Sequence, residues 1–559
     1  MIVARYIAEF LRNKGITHVF GYDGSMMLKI ADEISLTDGI DFFQGFHEQA
    51  SSFAADAYAR VNHTLGVVLV TSGPGAINSL AGCADAFMDS IPLMIITGND
   101  RLTHIESNPG VRLNGFQDLD IVSVARPITK YAVQLQRPED VAYVFEKAYY
   151  MAHHGRKGSV LVDVPMDVQF MEVPEELRHF EEPAEELVVS DDEISELCNM
   201  LYKSKRPVIL AGGGAQIADA SGLLTSLAQK TNIPVVTTLN GHDATGISLG
   251  ASGFYGLPEA NLAVKEADLL IALGVRFGER QAGKYLKHYT SAKIVHVEVD
   301  KNEFGRVFKP DLEIFADVKN VLEKLIETLD YNGLNNYDQW YVKIYNWKRI
   351  FEHELNTNNK GIDPIKLVEY IGQKCPDDAI FTNDVGQNTM WVCQGLRPKG
   401  YQRLLTSSGY ASMGFSLPAA IGAKMARPNS TVVSFSGDGG FHMNLQELQF
   451  VKLRKLNVKF IVFNNNTLGM MREVQRIYYN NNYVGSNTDE FTCVDLEKVA
   501  DLYDMDFVSI SSMEEFDKLD DVLNDDRAAI IECKLPIDTY VKNWNQFMAE
   551  HPELFESKV

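Results

Sequence analysis

The chain has 559 residues, 45% of them apolar, and a formal net charge of −23. That length suits roughly three domains of about 100–200 residues each, and the acidity argues against nucleic acid or an anionic membrane, both of which demand a basic face. Its six cysteines, Cys83, Cys198, Cys375, Cys393, Cys493 and Cys533, form neither a CxxC pair nor a dense framework, so they read as reduced residues of a cytoplasmic protein.

Residues 1–171 form a first unit. Met1-Ile-Val-Ala-Arg5 opens an amphipathic helix pattern rather than a signal peptide, and no apolar run approaches a membrane span. His18-Val-Phe20, Gly66-Val-Val-Leu-Val-Thr71, Leu93-Met-Ile-Ile-Thr97 and Ser159-Val-Leu-Val-Asp163 read as strands. Helical patterns lie between them, which predicts a parallel sheet. Glu48 stands in Gly45-Phe-His47-Glu48-Gln49-Ala50, at the start of a helix through Phe53, Ala54, Ala55 and Tyr58. By itself such a carboxylate is a partner for the helix dipole, and the adjacent His47 reads as structural. Thr71-Ser-Gly-Pro-Gly-Ala-Ile-Asn78 is a glycine turn between strand and helix. Residues 172–190, acidic and carrying Pro174 and Pro183, predict a linker.

A second unit, 190–335, has four short buried-type strands at Pro207–Ala211, Pro234–Leu239, Leu269–Gly274 and Ile294–Glu298. Gly212-Gly213-Gly214 follows the first of them, a weak nucleotide signal taken alone. Residues 330–362, rich in Asn, Tyr and Trp, read as a second connector. The third unit spans 363–540. In it an apolar run, Val432-Val-Ser-Phe-Ser, ends in Gly437-Asp438-Gly439-Gly440; a helical stretch, Leu445 to Leu453, follows. A second strand, Val458 to Phe463, then ends in Asn464-Asn465-Asn466-Thr467-Leu468-Gly469. This unit puts oxygen ligands at the carboxyl ends of two parallel strands, where open α/β sheets bind ligands. A carboxylate, an amide oxygen and a backbone carbonyl make a hard-cation site that leaves room for phosphate oxygens and suits magnesium. The glycines allow the backbone to approach a phosphate closely.

Together with Phe20-Gly-Tyr22, His47-Glu48-Gln49-Ala50, Ser72-Gly-Pro-Gly75, Phe116-Gln117-Asp118, Gly274-Val-Arg276-Phe277-Gly-Glu-Arg280, Asp384-Val-Gly-Gln387 and Met413-Gly-Phe-Ser-Leu-Pro, these segments resemble thiamine diphosphate enzymes of the acetolactate synthase/pyruvate oxidase type. The resemblance covers nearly the whole chain. It implies three parallel-sheet α/β domains: thiamine pyrimidine-binding, central dinucleotide-binding-like and thiamine diphosphate-binding. Glu48 would hydrogen-bond the aminopyrimidine ring and favour its imino tautomer, so that the cofactor's own amine takes the thiazolium proton. Met413 would wedge between the rings, the Ala411 carbonyl would accept from the exocyclic amine, and Gln117 would reach the site. Magnesium would be held by Asp438, Asn465 and the Thr467 carbonyl. The matching cofactor positions are Tyr22, Gly24, Pro74, Asn78, Gly386, Gln387, Asn388, Gly437, Gly439, Gly440, Leu468, Gly469 and Met470. The pyrimidine and diphosphate halves would come from different subunits, which makes a homodimer the smallest active unit and allows a homotetramer.

The central unit would hold FAD in a structural role, through Arg156, Gly212, Gly213, Gly214, Thr238, Leu239, Gly253, Phe254, Tyr255, Gly274, Arg276, Glu298 and Asp317. An arginine suits pyrophosphate and a carboxylate suits a ribose; the alternative is a vestigial domain whose glycines only serve turns. Around the substrate, Phe116 and Arg280 follow the pattern. Val474 stands where the anabolic synthases have tryptophan, Met166 replaces a lysine, Asp23 replaces a proline, and residues 99–115 make a longer loop. The expected activity is decarboxylation of a 2-oxo acid, first of all pyruvate, with transfer of the two-carbon unit to a second carbonyl compound. A carboligase using a keto sugar or cyclic ketone, a C–C lyase or hydrolase, and a nucleotide-binding protein without catalysis are the alternatives.

Overall fold

The computed structural model describes residues 1–559 except 106–109, 185–186, 284–288, 352–360 and 556–559. Parts of the 99–115 loop and of both predicted connectors therefore lie outside the described residues. Three parallel sheets follow one another. The first contains β1 (His18–Tyr22), β2 (Asp41–Gln44), β3 (Gly66–Val70), β4 (Leu93–Asn99), β5 (Tyr131–Gln134) and β6 (Ser159–Pro165), in the order β2-β1-β3-β4-β6-β5. The central sheet, β11-β10-β9-β7-β8, is built from β7 (Pro207–Ala211), β8 (Val235–Thr237), β9 (Leu269–Leu273), β10 (Lys293–Glu298) and β11 (Leu312–Phe315). The third contains β12 (Ile380–Asn383), β13 (Arg403–Thr406), β14 (Val432–Gly437), β15 (Val458–Asn464), β16 (Asp506–Ile510) and β17 (Ala529–Lys534). Its order, β13-β12-β14-β15-β17-β16, repeats that of the first sheet.

β3, β4 and β6 are buried at every position, as continuous apolar runs in a doubly covered parallel sheet must be. The first and third units pack through helix Glu48–Asn62 against helix Ser416–Ala426. A Cβ on Gly422 would stand only 1.9 Å from the Ala54 carbonyl oxygen, so the two backbones touch. The supposed connector after residue 330 holds a helix, Asp338–Phe351, whose Trp340, Ile344, Trp347 and Phe351 enter the central core at helical spacing. Polar Asn and Tyr residues around that stripe hid it.

Candidate active site

Glu48 opens its helix with His47 as N-cap, the His47 Nδ1 accepting from the Gln49 N–H at 3.1 Å. His47 is thus structural, as its position suggested. Glu48 is buried, and its Oε2 accepts from Asn78 Nδ2 at 3.1 Å. A Cβ on Gly75 would lie 3.1 Å from Glu48 Oε1, so the glycine turn keeps that oxygen uncovered. Pro74 starts the helix that carries Asn78. Tyr22, at the end of β1, is 39% exposed, and Gly24 rests against the Thr71 side chain. Gln117 has a left-handed backbone (φ +58) against Gly73, while Phe116 is 68% exposed.

In the third unit β14 delivers Gly437 and Asp438, and β15 delivers Asn464 and Asn465, at adjacent carboxyl ends. Asp438 Oδ1 accepts from the Gly439 N–H at 2.8 Å, whereas its buried Oδ2 has no hydrogen-bond partner among the described residues. Burial pushes this carboxyl up to about 7, against the pull of the N–H groups of Gly439 and residues 465–467. Gln387 Oε1 and Asn388 Oδ1 are likewise buried without partners. Glycines admit them closely: a Cβ on Gly469 would fall 2.3 Å from Gln387 Oε1, and one on Gly437 3.4 Å from Asn388 Nδ2. Gly386 has φ +120, a conformation only glycine takes readily. Gly440 lies against Asp384, and Gly439 between Leu468 and Met413. The Thr467 hydroxyl donates to the Ser486 carbonyl at 2.6 Å, which leaves its own carbonyl as the candidate ligand. Among the described residues no group of three His, Cys, Asp or Glu could hold a metal. A cation at Asp438 would therefore use amide and carbonyl oxygens, a donor set that fits magnesium.

Residues to which the sequence assigned no role support this floor. Asp384 accepts from the N–H groups of Gly414 and Ser416, fixing the turn after Met413. Glu473 accepts from Gln387 Nε2 at 3.2 Å. Glu447 reaches the first unit and accepts from the Phe46 N–H at 3.1 Å, two residues before Glu48; burial pushes it up to about 8. His442 accepts from the Val494 N–H and packs on Phe491, a local role. Met413 is 39% exposed, and Ala411 is held at φ +63.

A cleft of about 180 Å³ opens where the three units meet. Arg156, Gly213, Gly214, Thr238, Leu239, Phe254, Tyr255, Gly274, Arg276, Arg280, Glu298 and Asp317 all line it. It lies at the carboxyl ends of β7 and β9, where the strand order reverses. Gly212 and Gly253 stand behind the wall. A Cβ on Gly212 would meet the Gly274 carbonyl at 2.0 Å, and one on Gly253 the Arg280 carbonyl at 2.6 Å. Arg156 already pairs with Asp300 at 3.0 Å and Glu303 at 3.1 Å, and Asp317 caps a helix through the Lys319 N–H. Burial pushes Glu298 up to about 7. Met470 touches this wall through Tyr255, whose hydroxyl lies 3.9 Å from its sulfur.

Residues 1–124, 194–325 and 384–533 match, in turn, the N-terminal TPP binding, central and C-terminal TPP binding domains of thiamine pyrophosphate enzymes. The chain is 36% identical over 487 residues to the acetolactate synthase large subunit of Lactococcus lactis subsp. lactis (strain IL1403), covering 85% of this chain and 83% of that one. It is 34% identical over 547 residues to that of Cyanidium caldarium (94% and 92% covered). It is 36% identical over 494 residues to the probable acetolactate synthase large subunit of Methanocaldococcus jannaschii (85% and 82%). The chain belongs to the thiamine pyrophosphate enzymes. It is a thiamine diphosphate-dependent, acetolactate synthase-like C–C bond-forming enzyme. These relatives favour the synthase reading over the keto-sugar or cyclic-ketone carboligase, the lyase or hydrolase, and the non-catalytic alternative.

Of the positions expected around the substrate, Met166 and Asp23 lie in the first unit, after β6 and β1, while Val474 lies in helix Gly469–Tyr478 of the third. Arg280 is exposed on the central cleft. Met166, Asp23 and Val474 do not line the central cleft that Arg280 borders. Among the described residues no helix is long and apolar enough to cross a membrane.

Proposed function

We propose that this chain decarboxylates a 2-oxo acid, pyruvate first, and joins the two-carbon unit to a second carbonyl compound to give an acetohydroxyacid. Bound thiamine diphosphate would supply the electron sink for the carbon left after carbon dioxide departs. The observation that carries this reading is the set of three buried acceptors without partners, Asp438 Oδ2, Gln387 Oε1 and Asn388 Oδ1, at a glycine-walled strand end. Asp438, Asn465 and the Thr467 carbonyl would hold magnesium. Glu48, fixed by Asn78, would hold a proton at the pyrimidine ring.

Met413, Phe116, Ile77 and Tyr22 are 39%, 68%, 42% and 39% exposed. Apolar exposure at catalytic positions supports a homodimer in which a second copy covers them, with Glu48 of one chain facing Asp438 of the other. Dimers would pair further if a tetramer forms. The central cleft would take FAD, its switch-point position and its lining supporting that ligand. Arg276 would face the pyrophosphate, since Arg156 is engaged by Asp300 and Glu303. Six unpaired cysteines suit the cytoplasm.

Apo protein titrated with thiamine diphosphate and Mg²⁺, then supplied with pyruvate and a panel of carbonyl acceptors, tests this by mass spectrometry of products. Release of carbon dioxide with an acetohydroxyacid product is expected; none from any 2-oxo acid, with cofactor bound, sinks the reading. A flavin spectrum in the purified protein is expected too. A colourless protein that FAD does not reconstitute makes the central cleft vestigial.

A further inference from the structure

The first and third units meet at a buried group of charges that the reaction does not use. Asp56, Asp85 and Asp89 are all buried, and one guanidinium, Arg60, faces the three of them: Asp56 at 2.5 Å, Asp89 at 3.3 Å and Asp85 at 3.9 Å. Three carboxylates against one cation are a poor stability device, since apolar packing of equal volume serves as well or better. Two of them, Asp85 and Asp89, instead accept donors from one short segment, Asp89 also taking the Asn240 amide at 3.0 Å. Asp85 Oδ1 accepts from the hydroxyls of Ser407 and, at 2.7 Å, Ser412. Asp89, one turn further along the same helix face, accepts from the Ser408 N–H at 3.1 Å and the Gly409 N–H at 2.7 Å. Ser407 Oγ in turn accepts from the Ser412 N–H at 2.9 Å, which closes the loop on itself. A Cβ on Gly409 would stand 2.4 Å from Asp89 Oδ1, so a side chain there would displace this carboxylate.

Inside this loop sits Ala411, in the left-handed conformation that residues with a side chain avoid. Such a conformation persists only where its surroundings over-determine it. We propose that Asp85, aided by Asp89, is a positioning residue that clamps segment 407–412 and so aims the Ala411 carbonyl and Met413 at the cofactor. The role of those two groups rests on the function proposed above. The same helix, Pro74–Asp89, carries Asn78 against Glu48 at its other end, so one rigid element sets both groups. Burial and the neighbouring carboxylates push Asp85 up to about 7, which makes a neutral acceptor a fair substitute for it.

The test compares wild type, Asp85→Ala, Asp85→Asn and Ser412→Ala as full-length holoenzyme. It reads turnover, thiamine diphosphate affinity and deuterium uptake by peptides covering 406–414. Asp85→Ala should lower kcat at least roughly tenfold, the scale of a small misplacement of a reacting group. Cofactor affinity should hold and uptake should rise. Asp85→Asn, which keeps an acceptor oxygen, should restore kcat to within about threefold of wild type. Unchanged kcat and uptake in Asp85→Ala overturn the proposal, as does an Asn variant as damaged as the Ala variant. Should Asp85→Ala not fold, Ser412→Ala decides, with the same two signs expected. A wild type without thiamine-dependent turnover fails the proposed function instead, and uptake at 406–414 alone then judges the clamp.

Discussion

Asn78 donates to one oxygen of Glu48 while Gly75 leaves the other uncovered. The carboxylate is thus held in one orientation with a single free acceptor, the arrangement a proton-holding group beside a ring nitrogen needs. Glu48→Gln should lower turnover on the order of 100-fold or more, the usual worth of such a group. Its affinity for thiamine diphosphate and Mg²⁺ should stay near wild type. Calorimetric titration with steady-state kinetics separates the two, and full turnover in the variant removes Glu48 from the mechanism.

A site divided between subunits has an arithmetic signature. Glu48→Gln and Asp438→Ala homodimers should both be inactive. Co-refolded in equal amounts they form hybrids in which one site carries both lesions and the other neither. Recovery of about one quarter of wild-type activity is expected for a dimer with isologous halves. Recovery of nothing, with hybrids demonstrated by mass spectrometry, argues for a site within one chain.

Glu447 makes the fold sensitive to alkali. Its folded-state pKa, raised by burial to about 8, exceeds the value of about 4.3 of an exposed glutamate. The stability it lends is therefore complete below pH 4.3 and is lost as pH rises through 8. Glu447→Gln can still accept from Phe46 but carries no charge to bury. Relative to wild type it should gain on the order of 1 kcal/mol per pH unit between pH 5.5 and 8. Denaturant midpoints at those two pH values check this; parallel profiles contradict it.

Val474 is smaller than the tryptophan that the family resemblance places at this position. Val474→Trp should shift acceptor preference toward small 2-oxo acids, lowering kcat/KM for the bulkiest acceptors by roughly tenfold or more while sparing pyruvate. An acceptor profile identical to wild type would show that residue 474 does not border the acceptor.

Legibility in the sequence followed burial. β3 and β9 stand out because both faces are covered and their residues are apolar throughout, and β4, β14 and β15 because apolar residues dominate them despite Thr97, Asn99, Ser434, Ser436, Lys459 and Asn464. The edge strands β2, β5, β11 and β16 are only half covered, carry no apolar run and escape notice. The thiamine floor was readable because its glycines and carboxylate follow one another in the chain. Asp85, Asp89, Glu447 and Glu473 were not, because their partners lie far away in sequence and nothing local distinguishes them from surface acids. The helix Asp338–Phe351 was lost for a different reason: its four apolar anchors are diluted by exposed aromatic and charged neighbours.

The first and third sheets share one strand order, and their helices 48–62 and 416–426 lie face to face. An elongated ligand bridging two such look-alike halves could lie in either direction. The turn after β3, Thr71-Ser-Gly-Pro, holds a hydroxyl where the turn after β14 holds Asp438. That one difference would polarise an otherwise near-symmetrical cradle: the cation proposed at Asp438, and the anionic end of a ligand with it, would sit at the β14 end.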